Sequence, residues 1–140
     1  MKYFVKKLML LVMISSLFVG VFAISAKTDA KNTYWLSGVS KAADGSMRMY
    51  YKGNTIVLKG KVRKSVSRNK IYDVPEKKCS YSLKVASNCK VTYVEAENNQ
   101  TMTYKKWAKN NGYKNGDEVT CIEATLKVEG KKIVRIYFSA

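Results

Sequence analysis

Residues Thr55 to Val66, TIVLKGKVRKSV, alternate in character along their whole length. Ile56, Leu58, Gly60 and Val62 fall on one side of an extended chain, and Val57, Lys59, Lys61 and Arg63 on the other. A repeat of two belongs to a strand with one buried and one wet face; a helix, repeating every 3.6 residues, would mix the two sets. The same alternation returns near the C-terminus. Within Glu118 to Val128 it turns Ile122, Ala124, Leu126 and Val128 inward and sends Cys121 to the opposite face. Across the Glu129-Gly130-Lys131 turn, Val134, Ile136 and Phe138 are the expected buried set of Lys132 to Ser139. A mainly β domain is predicted.

Turn residues divide the remainder. Tyr34 to Ser40 and Ser46 to Lys52 flank Ala43 to Gly45 and read as a hairpin, and Gly53-Asn54 leads into the strand at Thr55. Ser67 to Lys78 breaks the pattern, carries Pro75 and is expected to be a long loop. Cys79 to Val85 and Cys89 to Glu95 read as two short strands about Ala86 to Asn88, with Tyr81, Leu83, Val85, Val91 and Tyr93 inward. One helix is expected, Met102 to Asn111. Tyr104, Trp107 and Ala108 form its apolar stripe, with Lys105, Lys106 and Lys109 opposite. Thr101 or Thr103 can cap its start, and Gly112 suits a left-handed end with Tyr113 packing back on Ala108.

The resulting order is strand, strand, strand, helix, strand, strand, preceded by an extra hairpin. A helix between the third and fourth strands of a five-stranded unit is the order of the OB-fold barrel. The segment NGDEVTCIEATLKVEGKKIVRIYFS resembles the closing half of small secreted bacterial OB-fold-like domains, with Gly116-Asp117 as its turn and Gly130 in its hairpin. The resemblance covers about 25 residues at the level of pattern. It implies a small antiparallel barrel from Thr55 to Ser139 with an added N-terminal hairpin, and brings no catalytic residue with it. An open antiparallel sheet packed on one helix fits the same order.

The N-terminus has the layout of a secretory signal peptide, assigned to residues 1–26. Lys2, Lys6 and Lys7 precede an uncharged stretch from Leu8 to Ile24, and small residues gather at Ala23, Ser25 and Ala26. Cleavage is expected between 23 and 26. Those 17 apolar-rich residues, interrupted by Ser15, Ser16 and Gly20, fall short of the roughly 20 that a spanning helix needs. An uncleaved membrane anchor is the alternative. A polar segment, 27–33, then leads into a single domain over 34–140. Secretion or residence in the cell envelope follows.

Removing the three signal lysines leaves 23 basic residues against 10 acidic ones, a formal charge near +13. Such an excess favours anionic polymers or acidic proteins. A nucleic-acid role is disfavoured for a chain that leaves the cytoplasm, and a membrane partner requires the signal to stay uncleaved. Lys59, Lys61 and Arg63 project from one strand, and Lys64, Arg68 and Lys70 continue into the following loop. Lys84, Lys90, Lys127 and Arg135 are outward candidates elsewhere. Tyr50, Tyr51, Tyr72 and Tyr137 could interleave aromatic surface with this charge, a combination used to hold single strands and sugars. Of these, Lys59, Lys61, Arg63, Lys64, Arg68, Tyr72 and Lys84 are the candidate ligand-binding residues. The competing reading is a solvated lysine-rich surface, or a secreted structural or protein-interaction domain that makes contact through Tyr34 to Lys52.

Enzyme chemistry finds little footing. The chain has no histidine, the commonest general base. Cys79, Cys89 and Cys121 lack the close CxxC spacing of zinc sites, so neither a metal nor a cofactor is expected. Glu95 and Glu97 are an imaginable carboxylate pair, and Cys121 has no base in view. An odd thiol count leaves at least one cysteine unpaired or bridged to another chain. In the expected hairpin Cys79 and Cys89 lie roughly 20 Å apart, beyond the limit of about 7 Å for a disulfide.

Overall fold

A computed structural model of the 140-residue chain describes residues 32–95 and 98–139. The signal peptide expected at 1–26, most of the polar segment 27–33, and Glu97 of the proposed carboxylate pair lie outside the described residues. The unit that begins at Thr33 is compact by itself and mainly β. Its strands are Thr33–Val39 (β1), Arg48–Lys52 (β2), Thr55–Ser65 (β3), Lys77–Val94 (β4), Gln100–Thr103 (β5), Asp117–Glu118 (β6), Glu123–Glu129 (β7) and Lys132–Ser139 (β8). They form one eight-stranded sheet. One short α-helix, Tyr104–Asn111 (α1), and two 3-10 turns, Lys41–Ala43 and Arg68–Asp73, complete the described residues.

β1 runs antiparallel between β3 and β7, β7 is antiparallel to β8, and β8 is parallel to β4. β4 is antiparallel to β3. β2 and β6 extend the sheet from β3, and β5 from β4. Leu36, Leu58, Val91, Leu126, Ile136 and Phe138 meet in the core, with Trp107 from α1.

The expected N-terminal hairpin does not form. β1 and β2 touch at one isolated bridge, Ser40 to Met47, because the chain between them folds on itself: Ser40 O accepts from the amides of Ala43 and Gly45. β1 is covered on both sides, Leu36 in the core and Ser37 beneath the 3-10 turn that contains Ile71. A strand with two covered faces belongs inside a sheet.

The second correction concerns Cys79 to Glu95. Residues 77–94 are one continuous strand. Ser87 and Asn88 are turn-forming residues, but pairing with β8 on both sides, at Val85 and at Val91, keeps the segment extended. β4 instead follows β3 with its first half and β8 with its second, and a register shift between Val85 and Lys90 absorbs the surplus residues. Ten residues of strand separate Cys79 from Cys89 by roughly 30 Å, so these two cannot bridge within the fold. All three cysteines are free thiols.

β3 has the alternation expected of it, with Ile56, Leu58 and Val62 buried. Val57, on the other side, is also covered, since it sits between Tyr50 of β2 and Ser82 of β4. At Gly60 the strand changes partner from β2 to β1. Gly60 adopts φ 103°, and a Cβ there would lie 1.9 Å from Ser46 O, so only glycine allows this close crossing.

Glu118 to Val128 is not one strand. β6 ends at Glu118, Val119 donates its N–H to Met49 O at 2.8 Å and is buried, and Ile122 is 51% exposed before β7 starts. In β8 a register shift opposite Lys127 and Val128 buries Ile133 and leaves Val134 partly exposed. Gly130 and Lys131, at φ 53° and 67°, make the tight turn between β7 and β8. The helix begins two residues later than expected: β-branched Thr101 and Thr103 pair with β4 as β5, and Thr103 then caps α1 by accepting from Lys106 N–H. Gly112 closes it in the left-handed conformation, and Tyr113 N–H donates to Ala108 O at 3.0 Å.

Candidate anion-binding face

β3 and β4 together carry eight basic residues and no acidic one. On β4, Cys79, Tyr81, Leu83 and Val85 turn toward the core, which leaves Lys78, Ser80, Ser82 and Lys84 exposed on the other side. Opposite residues of paired strands share a face. Lys61 stands across from Lys78, Lys59 from Ser80 and Thr55 from Lys84. The exposed side of this strand pair is therefore a field of ammonium groups set among small hydroxyl side chains.

Like charges recur where β4 meets its neighbours. Lys61 opposes Lys78 across β3, Lys84 opposes Lys132 across β8, and Lys90 opposes Arg135. The ion pairs of the described residues lie elsewhere: Arg48 with Glu118, Arg63 with Glu76, and Lys127 with Glu129.

Among the seven sequence candidates, Lys59, Lys61 and Lys84 come together on this face. The other four contact residues of the fold itself. Arg63 donates to the carbonyls of Tyr72 at 3.2 Å and Val74 at 2.5 Å. Lys64 lies 4.4 Å from the Tyr34 ring centre. The Arg68 guanidinium covers Tyr137 at 4.3 Å and Trp35 at 5.6 Å. Tyr72, 64% exposed, donates its hydroxyl proton to Glu123, which holds the phenol above its ordinary pKa. These contacts hold the segment after β3 against the β1, β7 and β8 side of the sheet.

Lys78 and Lys132 complete the basic surface, and neither is among the sequence candidates. Lys78 falls in the segment expected as a loop and Lys132 at the start of the last strand; the lack of any Asp or Glu from Lys77 to Val94 is the signal that marks Lys78. The aromatic candidates divide as well. Tyr50 is half-buried opposite Val57, whereas Tyr51 joins Tyr104, Trp107 and Tyr113 beneath α1.

Burial raises all three thiols above their ordinary pKa. Burial pushes Cys89 and Cys121 up to about 11, and the nucleophilic form of cysteine is the thiolate. Among the described residues no cluster of three or more Cys, Asp or Glu could hold a metal ion, and no helix is long and apolar enough to cross a membrane. Comparison with protein-family models, with curated proteins and with solved structures found no match.

Proposed function

We propose that the chain is an exported, non-enzymatic binding module whose β3–β4 face holds an anionic polymer of the cell envelope or an acidic partner. The carrying observation is the series of opposed cations along β4: Lys61 with Lys78, Lys84 with Lys132, and Lys90 with Arg135. Directly opposed like charges destabilise a sheet. Neither β3 nor β4 supplies a carboxylate to offset them, whereas a polyanion laid across the face would. Export rests on the signal-like N-terminus, which directs the chain toward a compartment of anionic polymers.

The architecture we propose for this module is OB-like. β1, β3, β4, β8 and β7 pair in succession and β7 pairs again with β1. α1 falls between the third and fourth of these in chain order, and the parallel contact joins the third and fifth. In this scheme β1 replaces the strand from Thr55 as the first member. Ligands of OB-folds lie on the second and third strands, here β3 and β4.

Immobilised heparin, eluted with a salt gradient, tests the reading. A triple variant Lys59→Glu, Lys61→Glu, Lys78→Glu should elute at much lower salt than the parent, because exposed charge interactions are screened within about 10 Å at 0.1 M. A variant with the same net charge, Lys106→Glu, Lys109→Glu, Lys114→Glu, should keep most of the retention. Equal losses in the two variants would overturn the proposal.

A further inference from the structure

The register shift in β4 opens a cleft at one end of the basic face. Asn54 and Thr55 from the β2–β3 turn, Lys84 to Ser87 from the shifted part of β4, Thr103 to Lys105 at the start of α1, and Lys132 of β8 line it. Its volume is about 620 Å³, within the usual range of small-molecule sites. Bulges of this kind re-aim side chains next to functional sites.

The lining has an unusual chemistry. It includes three lysines, Lys84, Lys105 and Lys132, and three hydroxyl residues, Thr55, Ser87 and Thr103. Among the described residues no carboxylate lines the cleft, and none of the ion pairs involves these lysines. No arginine lines it either. Arginine's fork suits carboxylate and phosphate alike, whereas separate lysine point charges set among hydroxyl groups can meet the several oxygens of a tetrahedral anion from different directions. Thr103, by accepting from Lys106 N–H, fixes the beginning of α1 at this wall, where the helix dipole is positive.

We propose that this cleft binds a tetrahedral oxyanion, a phosphoryl or sulfuryl group borne by a small molecule or by a polymer. The site deepens the reading of the basic face and rests on it through Lys84, which belongs to both. Lys105 and Lys132 belong to the cleft, and Lys59 and Lys61 to the face.

The test follows backbone amide resonances during titration with inorganic phosphate at constant ionic strength, with acetate as the planar control. Saturable shifts should centre on Ser87, Thr103 and Lys105, and acetate should leave them small. Lys105→Gln with Lys132→Gln should weaken phosphate about fivefold to tenfold; Lys109→Gln with Lys114→Gln, at positions outside both the face and the cleft, should leave it unchanged. Glycerol phosphate shifting the same amides identifies a small-molecule group, and polyphosphate doing so identifies a polymer-borne one. The inference is overturned if none of these phosphates moves those amides saturably, if acetate matches phosphate, or if the Lys105 and Lys132 changes have no effect. Heparin retention separates the two readings. If the face variants lose retention while the cleft shows no shifts, the cleft alone fails; if cleft shifts persist while retention ignores the face, the face alone fails.

Discussion

Trp107 donates its indole N–H to the Tyr93 hydroxyl at 3.0 Å, joining α1 to β4 from within the core. The ring is fully buried and lies 5.6 Å from Phe138 and 5.0 Å from Tyr113. Together with Tyr104, whose hydroxyl donates to Gly53 O at 2.6 Å, Trp107 fastens the helix that walls the cleft to the sheet. Trp107→Ala should cost about 3–5 kcal/mol, read as a lowered denaturant midpoint. Tyr93→Phe keeps the packing but strands a buried donor, and should cost about 1–3 kcal/mol.

Gly60 and Gly112 both have positive φ, yet their substitutions should differ sharply. A Cβ at Gly60 would meet Ser46 O at 1.9 Å, backbone that cannot swing aside, whereas none of the described residues comes within 4 Å of one at Gly112. Gly112→Ala should therefore cost only about 1 kcal/mol. Gly60→Ala adds a backbone clash to its strain and should cost well above the roughly 1–3 kcal/mol of conformational strain alone. Thermal melts of the two variants side by side provide the comparison.

Arg63 should behave as a structural residue. Its guanidinium donates to two carbonyls of the segment after β3, so Arg63→Ala should cost about 1–3 kcal/mol and speed proteolysis near Tyr72. Heparin retention of the folded variant should fall no more than expected for the loss of one charge. A loss as large as that of the Lys59, Lys61, Lys78 variant would place Arg63 in the ligand-binding face.

Alkaline pH should destabilise the domain. Burial raises Cys89 and Cys121 from 9.0 to about 11, so between those values the folded chain keeps protons that the unfolded chain sheds. Stability falls with pH wherever the unfolded state binds fewer protons. The contribution of these thiols is fully present below pH 9 and is lost as pH climbs through 11. Melting under reducing conditions at pH 8 and pH 10.5 should show the decline, and Cys121→Ser should reduce it.

Strand identity was largely legible because alternation reports a one-sided strand directly, as in Ile56, Leu58 and Val62. Strand partnership was not. β1 and β2 are neighbours in the chain with a plausible turn between them, and nothing local says that Thr33–Val39 pairs instead with Glu123–Glu129. Alternation places Val134 inside because it cannot announce the residue at which a bulge inserts an extra position. The candidate site was half legible for a related reason. Lys59 and Lys61 stand out within an alternating strand, while Lys78 and Lys84 join them only through the register of β3 on β4. Arg63, Arg68 and Tyr72 resemble free surface groups until the 3-10 turn folds over their side of the sheet.

The position of β1 has a consequence for how the chain folds. Three of its residues pair with β3, but all seven pair with β7, some 90 positions downstream. Contacts of such separation must overcome the entropy of closing a long loop before any stabilisation appears, and chains dominated by them fold slowly. A polypeptide emerging from its N-terminus would hold Tyr34, Trp35 and Leu36 without their main partner until Glu123 to Glu129 had appeared. The domain is built to be completed late, and a chain shortened before Glu123 would leave its first strand without its principal pairing.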